Sequence, residues 1–335
     1  PPGFEFPRGG PHGPMGKSGC VSVICPTTEP RQIFHPALWA CFTAQLWPDK
    51  EMVVVETYAN RPSPFFADLA ARGEPRLTYV RFKVSAWEDW TIGLKRNIAV
   101  HLSNGHFIAH FDDDDLYAPT YLSMMVNELQ RSKDSLGITL SRWYTYDATT
   151  SMLSSCDPIA CGKMVNEKPE KTLARVYGYG FSYVYYRWAA IELPYRNSKN
   201  LGEDYTFVKG LQSRRGQDAM HLLSDRHGIC LHTLHPGNTA KCSSLQDMTM
   251  EQVWPLDILG FYPVFSQYLH RLRGLSASIN GHYIEVGMVE PQLGLLPNNP
   301  VSEAIPLLRV VKVHMAERTI LVRCGMGATV AEVRA

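Results

Sequence analysis

Short apolar runs alternate with helically spaced apolar residues over the first half of the chain. The short runs predict strands over residues 21–25, 52–56, 77–84 and 107–111. The longer patterns predict helices over residues 36–45 and 91–102, and a further helix that follows Pro119. Because strands separated by helices imply crossover connections, we expect an α/β fold with a mainly parallel sheet and helices on both faces.

Both ends of the chain depart from this pattern. Residues 1–19 are rich in proline and glycine, which predicts a flexible leader before the α/β domain of residues 20–240. Residues 241–305 predict a helical extension followed by a linker. Residues 306–335 resemble the first part of a ubiquitin-like β-grasp domain, with strands at 307–314 and 318–324 and a helix that opens at Thr329.

The two ends also bear on how complete the chain is. Two strands and one helical turn cannot bury a core alone, so the tail either packs on the main domain or is cut from a longer protein. The chain begins with Pro1 rather than Met, which favours the second explanation. We therefore expect truncated termini.

Composition and charge narrow the classes of function. The 335 residues are 45% hydrophobic and 19% charged, which is globular and excludes disorder for most of the chain. A net charge of +1 lacks the excess of positive charge that is typical of proteins that bind nucleic acids or acidic membranes. No apolar run reaches the roughly 18 residues that span a bilayer, so we expect a soluble, cytoplasm-compatible chain whose compartment and oligomeric state stay open. The 8 cysteines lack CxxC spacing and predict mostly reduced thiols.

An acidic cluster marks the most specific candidate site. Asp112 to Asp115 follow directly after the strand at residues 107–111. The carboxyl ends of strands in a parallel sheet are where ligands bind. Neighbouring carboxylates repel, and oxygen-rich clusters suit Mg²⁺ or Mn²⁺ bridging to substrate phosphates, so the run predicts a metal-bound diphosphate. From spacing alone, a solvated acidic loop beside a helix N-terminus explains the run equally well.

Two further groups of residues are candidates for chemistry. Glu203 and Asp204 open a predicted helix, where an aspartate could deprotonate an attacking hydroxyl; taken alone, an ordinary acidic first turn explains them better. Histidines surround Cys230, and a zinc site is conceivable. However, Cys230 and His232 would share one strand face while His235 takes the other, which disfavours a single cage. His235 is better placed to reach the acidic crevice as one imidazole ligand.

In their order along residues 20–240, these segments resemble family 2 of the inverting glycosyltransferases, which have the GT-A fold. The resemblance is carried by the opening strand and loop with Thr27, Thr28 and Arg31, by Gly93 to Ala99, and by the acidic strand end with Pro119. It continues through Gly178 to Arg187, Gly202-Glu203-Asp204, and His235 to Asn238. The resemblance implies a GT-A-type, Rossmann-like, mainly parallel sheet with helices on both faces, plus a helical or irregular C-terminal extension.

The resemblance also implies roles for single residues. Asp112 and Asp114 would form a DxD motif that contacts the ribose and the metal, and Asp204 would be the catalytic base with Glu203 beside it. The implied metal ligands are Asp114, Asp112, Asp115 and His235. The implied nucleotide-binding residues are Thr27, Thr28, Arg31, Glu56, Arg96, Asp112 and Asp113. Glu56 departs from the family pattern, which usually has Asp at the end of the second strand.

The implied activity is metal-dependent transfer of a sugar from a nucleotide-sugar donor, expected to be a UDP-sugar, to an acceptor hydroxyl with inversion. The expected cofactor is Mn²⁺ or Mg²⁺, and the expected partners are the donor and a hydroxyl-bearing acceptor. Two other hypotheses remain open. One is a catalytically inactive sugar-nucleotide-binding or interaction module, and the other is a metal-dependent phosphoryl-transfer enzyme or nuclease.

Overall fold

The computed structural model describes most of the N-terminal three quarters of the chain and three short strands near its end. The described residues are 15–85, 89–148, 150, 152–197, 201–238, 242, 245–253, 255–258, 286–287, 311–315 and 318–322. Among them, no helix has the length and apolar character needed to cross a membrane.

Strands and helices alternate along the main part of the chain. The strands of the main sheet are β1 Lys17–Thr28, β2 Lys50–Tyr58, β3 Leu77–Lys83, β4 Gly105–His110, β5 Leu116–Tyr117, β6 Gly137–Asp147, β7 Met152–Cys156, β8 Val184–Tyr186, β9 Met220–Ser224, β10 Cys230–Leu234 and β11 Leu245–Asp247. The helices are α1 His35–Ala44, α2 Pro64–Ala71, α3 Ile92–Leu102, α4 Tyr121–Arg131, α5 Pro158–Met164, α6 Pro169–Val176, α7 Arg187–Glu192, α8 Glu203–Arg215 and α9 Met250–Val253. Short 3₁₀ helices cover Glu29–Phe34, Gly180–Ser182 and Gln217–Ala219.

The main sheet has the order β11-β7-β6-β8-β4-β1-β2-β3. The β4-β1-β2-β3 half is parallel throughout, and β8 joins it to β6 by antiparallel pairing on both sides. Beyond β8, β9 and β10 both run parallel to β6, while β5 pairs antiparallel with β10. The predicted α/β fold with a mainly parallel sheet is therefore confirmed.

The four predicted strands and both bounded helices occur close to their expected positions, since β1 to β4, α1 and α3 contain or nearly match them. One boundary was wrong. β1 begins at Lys17, so residues 17–19 belong to the sheet rather than to a leader. The pairing of β1 with β4 shifts register between Lys17 and Val21, and Gly16 and Gly19 both have positive φ, which lets this glycine-rich segment still pair along β4.

Alternation along the central strands builds a core on each face of the sheet. On β1, Val21, Val23 and Cys25 pack with α1, α2 and α4, while Ile24 packs on the opposite face with α3, α7 and α8. This period of two arises because successive side chains of a strand point to opposite faces. Helices cover both faces of the parallel strands, so the exposed carboxyl ends of these strands lie together at one edge of the sheet.

The C-terminal strands form a separate small sheet. β12 Val286–Gly287, β13 Val311–Met315 and β14 Arg318–Val322 pair antiparallel in that order. β14 falls within the strand expected at 318–324, and β13 overlaps the strand expected at 307–314 but extends one residue beyond it. The helix expected from Thr329, and most of the predicted helical extension, lie outside the described residues, so the ubiquitin-like resemblance stays a prediction.

Candidate active site

A cavity of about 340 Å³ opens at the carboxyl ends of β1 and β4. The start of α8, the segment before β8 and the loop after β10 close its other sides. The sequence-predicted residues that line it are Thr27, Thr28, Arg31, Arg96, Asp112, Asp113, Asp114, Glu203 and Asp204. Glu56, Asp115 and His235 do not line it. The fold thus brings most of the predicted site together, because adjacent parallel strands end at the same edge.

Asp114 is paired with Arg31 and His235. The Arg31 guanidinium donates to its carboxylate, and His235 Nε2 lies 2.9 Å from Asp114 Oδ2. Asn238 Nδ2 donates to the same oxygen at 3.3 Å. Burial opposes ionisation of Asp114, but the hydrogen bond from His235 and the charge of Arg31 outweigh it and hold the pKa of Asp114 well below its usual range.

A directed chain of hydrogen bonds supports Asp113 from the α1 side. Thr27 Oγ1 donates to Asp113 Oδ2 at 2.6 Å and lies 2.9 Å from His35 Nε2, and His35 Nδ1 lies 2.8 Å from Ser63 Oγ. Since Thr27 donates to Asp113, it accepts from His35, which in turn accepts from Ser63. Burial lowers the pKa of His35 to about 3, so the ring is neutral in this chain.

The negative charges of Asp112 and Asp113 are offset less by neighbouring cations and hydrogen bonds than the charge of Asp114 is. Burial raises the pKa of Asp112 to about 6, and Arg96, with Nη2 at 3.8 Å from Asp112 Oδ1, offsets only part of this effect. Burial likewise raises the pKa of Asp113 to about 7 despite the nearby charge of Arg31. The acidic run therefore holds more negative charge than its neighbours neutralise, and it is not a solvated loop, because Asp113, Asp114 and Asp115 are buried.

Asp115 faces away from the cavity. Its carboxylate accepts from His232 Nδ1 at 2.9 Å and from the backbone N–H of Thr233 at 2.8 Å. His232 itself lines the cavity and stacks on Phe181, with ring centroids 4.8 Å apart. Burial opposes protonation of His232, but Asp115 outweighs it and raises the pKa of His232 to about 9. A cationic imidazole thus faces the cavity, held by an aspartate behind it.

On the opposite wall, Arg96 joins the second acidic pair to the first. Its guanidinium is 3% exposed, donates to Asp204, and donates to Glu203 Oε1 at 3.1 Å. Burial raises the pKa of Asp204 to about 8, with Arg96 opposing this shift and Glu203 adding to it. Asp204 therefore keeps its proton at neutral pH in the ligand-free chain, and the acidic first turn of α8 is a buried part of the cavity.

Gly180 provides the space that the Asp204 carboxyl group occupies. A Cβ atom at Gly180 would overlap the carboxyl atoms of Asp204. The backbone at Gly180 is held in place by a hydrogen bond, because His110 Nδ1 lies 2.7 Å from the Gly180 carbonyl oxygen and must donate to it. Tyr185 and Tyr195 hydroxyls lie 3.1 and 3.2 Å from His110 Nε2 and can donate to it. The position of Asp204 thus depends on the segment before β8 as well as on α8.

Glu56 is a structural residue in this arrangement. It lies near the end of β2 and is fully buried. Its carboxylate accepts from Gln32 Nε2 at 2.7 Å, from the Ser63 N–H at 2.9 Å, and from the Tyr79 hydroxyl. These bonds tie the Glu29–Phe34 helix to the start of α2. The expected contact of Glu56 with the nucleotide base stays a prediction, and the side chain lies outside the cavity lining.

Sequence reasoning missed two cationic residues of the cavity. His232 was considered only as a zinc ligand, although the β5–β10 pairing sets it against Asp115. Lys95 is 2% exposed, and its Nζ donates to the Thr27 carbonyl oxygen at 3.1 Å and to Asp89 Oδ2 at 3.3 Å. The adjacent Lys95-Arg96 pair was a usable signal, since two consecutive cations early in a buried helix need acidic partners.

The donor chemistry of the cavity fits a hard divalent cation. Asp112, Asp113 and Asp114 line the same cavity, and the raised pKa values of the first two mark uncompensated negative charge. Mg²⁺ and Mn²⁺ prefer such oxygen donors. Within the described part of the chain, no three ligating side chains are already arranged around one ion position. The fit therefore rests on the type and charge of the donors.

Comparison with known proteins identifies the family of this chain. Residues 22–191 match the family described as Glycosyl transferase family 2. The chain belongs to this family. No curated protein matches it. The family match covers the end of β1, the acidic cluster and the segment before β8, so the predicted family is confirmed and the chain is a glycosyltransferase by membership.

Solved glycosyltransferase structures resemble this family 2 chain at low identity. TarS of S. aureus, residues 1–349, in complex with UDP-GlcNAc aligns over 77% of this chain and 74% of that chain at 13% identity, with a TM-score of 0.46. Glucosyl-3-phosphoglycerate synthase from Mycobacterium tuberculosis, in complex with Mn²⁺, UDP-glucose and phosphoglyceric acid, aligns over 76% of this chain and 80% of that chain at 13% identity, with a TM-score of 0.43. The family assignment rests on the sequence match.

The bridging role of Arg96 makes a testable prediction. Arg96→Met leaves the buried side chains of Asp204 and Glu203, and the partly exposed Asp112, without their shared cation, so we expect it to lower the free energy of unfolding by about 3–5 kcal/mol at pH 8. Loss of the cation raises the already elevated folded-state pKa values of Asp204 and Asp112 further, so the folded variant binds more protons than the folded unaltered protein, and its deficit shrinks towards pH 5. Urea unfolding at both pH values measures this. Arg72→Met, at an exposed ion pair with Asp68, is the control and should change little; an equal deficit at both pH values would contradict the prediction.

Proposed function

We propose that this chain transfers a sugar from a nucleotide-sugar donor to a hydroxyl-bearing acceptor, with inversion and with a divalent cation. The observation that carries the proposal is that Asp204 and the carboxylates of Asp112, Asp113 and Asp114 line one cavity. An acid pair that can bind a cation and a separate buried carboxyl group supply the two functions that such a transfer needs. The donor we propose is a UDP-sugar, the class that the sequence resemblance implies.

The donor side of the cavity is the β1–β4 edge. Thr27 and Thr28 end β1 and Arg31 lies in the 3₁₀ helix that follows it, while Asp112 and Asp113 line the same cavity just after the end of β4. We propose that these residues and Arg96 surround the nucleotide. Lys95 and Arg31 add positive charge close to where a diphosphate would lie, which favours an anionic ligand in a cavity otherwise dominated by acids.

Asp114 and Asp112 are the residues we propose to hold Mn²⁺ or Mg²⁺, with His235 reaching the ion from the loop after β10. A cation bound there would neutralise charge on the diphosphate leaving group. His235 already lies beside Asp114, whereas the Asp115 carboxylate is engaged by His232 and Thr233. We therefore propose Asp115 as the residue that orients His232 rather than as a ligand in direct contact with the ion.

Asp204 is the proposed catalytic base. It would take the proton of the acceptor hydroxyl, and the hydroxyl oxygen would attack the anomeric carbon from the face opposite the diphosphate. One displacement of this kind inverts the anomeric configuration. Glu203 and Arg96 would set the charge around Asp204, and Gly180 and His110 would hold the space for its carboxyl group. Residues lining the cavity run from Pro26 to Asn238, which supports a catalytic unit within residues 20–240.

The proposed base gives a direct test. Asp204→Asn keeps the size of the side chain but removes the carboxylate, so we expect transfer to fall by at least about 1000-fold while UDP-sugar affinity stays within a factor of about three. Transfer is measured with a panel of donors and acceptors, and affinity by calorimetry. Asp218→Asn, at an exposed position after α8, is the matched control and should keep full activity.

Retained turnover in Asp204→Asn would remove Asp204 from the mechanism. Donor binding by the unaltered protein without transfer to any acceptor would favour the binding-module hypothesis instead. Cleavage of phosphodiesters without sugar transfer would favour the phosphoryl-transfer hypothesis.

The raised pKa of Asp204 predicts the pH dependence of the reaction. A base acts only when ionised, and burial raises the pKa of Asp204 to about 8, so the turnover rate should increase as pH rises through this region. The charge of Arg96 lowers the pKa of Asp204, so Arg96→Gln should shift the rise in turnover rate to higher pH. Turnover at saturating donor between pH 6 and 10 measures both effects, and an unchanged rise in Arg96→Gln would contradict the assignment to Asp204.

The proposed metal site predicts a loss of cation-dependent binding. Asp114→Asn removes the carboxylate charge next to His235, so we expect the Mn²⁺-dependent part of UDP affinity to fall by at least about tenfold. Calorimetry of UDP binding with Mn²⁺ and with a chelator measures that part. Asp134→Asn, at an exposed position after α4, is the control and should bind as the unaltered protein does. Equal Mn²⁺ dependence in both variants would contradict the ligand assignment.

A further inference from the structure

Two cysteines distant in sequence meet behind the cavity wall. Cys156 is the last residue of β7 and is fully buried, whereas Cys242, in the segment between β10 and β11, is partly exposed. Their sulfur atoms lie 3.3 Å apart in thiol–thiol contact. A disulfide has an S–S distance of about 2.05 Å, so the two sulfurs are already in contact and need only a further short approach to bond.

The surroundings of Cys242 favour its thiolate. Contact with the Cys156 thiol lowers the pKa of Cys242 to about 7 against the effect of burial, and the charge of His232 and contacts with Tyr179 and Trp143 act in the same direction. The pKa of Cys156 is raised, chiefly by its contact with Cys242 and by burial. One thiol is thus activated and partly accessible, and the other is protonated and adjacent, which is the arrangement of an attacking and a resolving cysteine.

We propose that Cys156 and Cys242 form an oxidisable dithiol site, which a hydroperoxide converts to an intramolecular disulfide. The Cys242 thiolate attacks one peroxide oxygen, the O–O bond breaks, and water leaves after protonation, giving a sulfenic acid. The Cys156 thiol then attacks that sulfur, forms the S–S bond and releases a second water. Two thiols and one hydrogen peroxide thus give one disulfide and two waters, with the two sulfurs together supplying two electrons.

The disulfide would tie two parts of the site to the sheet. Cys156 is paired through β7 with Trp143 of β6 and with Leu245 of β11. Cys242 follows the loop whose Asn238 donates to Asp114; it contacts Tyr179 and lies close enough to feel the charge of His232, and both of these residues line the cavity. The bond would therefore link Cys242, just after this loop, covalently to β7 of the main sheet. It would also close a loop of 86 residues, which restricts the unfolded chain and stabilises the fold.

Oxidation of the full chain tests the proposal. Protein reduced and freed of reductant is treated with hydrogen peroxide at a few molar equivalents, then analysed by intact mass, peptide mapping after thiol alkylation, and thermal unfolding. We expect a mass decrease of about 2 Da, loss of alkylation at Cys156 and Cys242 together, and a rise in Tm of about 5 °C or more, reversed by dithiothreitol.

Three single variants make the result specific. Cys242→Ser and Cys156→Ser should each abolish both the mass decrease and the rise in Tm. Cys161→Ser, a cysteine of α5 that is also partly exposed, should leave both unchanged. Addition of oxygen atoms without a 2 Da decrease, or a disulfide that persists in Cys242→Ser, would overturn the proposal. Neither outcome depends on sugar transfer, so the proposed activity and this site can fail separately.

Discussion

A buried guanidinium holds the two halves of this site together. Arg96 extends from α3 between the end of β4 and the start of α8, where it meets Asp112 on one side and Asp204 with Glu203 on the other. A buried charge is tolerated only when it is paired, and here one cation is shared among three acids. The spacing of the cavity walls therefore depends on this one side chain, since it is the hydrogen-bond and ion-pair partner that both acidic segments share.

The site also shows how position alone differentiates identical residues. Asp114 is ionised beside Arg31 and His235, Asp115 is neutralised from behind by His232, and Asp112 and Asp113 retain raised pKa values in the same wall. Four consecutive carboxyl groups thus have unlike charges at one pH. A cation bound near Asp112 and Asp113 would favour the ionised form of both carboxyl groups. Binding would thereby reduce the unfavourable electrostatic free energy of these two groups in the ligand-free chain.

Much of this arrangement could be predicted from sequence because it depends on local pattern. Apolar runs of strand length define β1, β2 and β4, and parallel neighbours end at one edge, which brings Thr27 and Asp112 together without further information. His232 could not be assigned in this way. Its position behind Asp115 depends on β10 pairing with both β5 and β6, and such long-range pairing leaves no local signature. The burial of Glu56 was equally hidden in the sequence, because it depends on hydrogen bonds from Ser63 and Tyr79, and the expected contact of Glu56 with the nucleotide base stays a prediction.

Gly180 restricts which positions around Asp204 can vary. Its missing side chain is the space in which the Asp204 carboxyl group lies, and His110 holds its carbonyl from the opposite side. Tyr179 and Leu201 also line the cavity. A library that seeks a new acceptor range would therefore vary Tyr179 and Leu201 and keep glycine at position 180. Any larger residue at position 180 would displace the Asp204 carboxyl group.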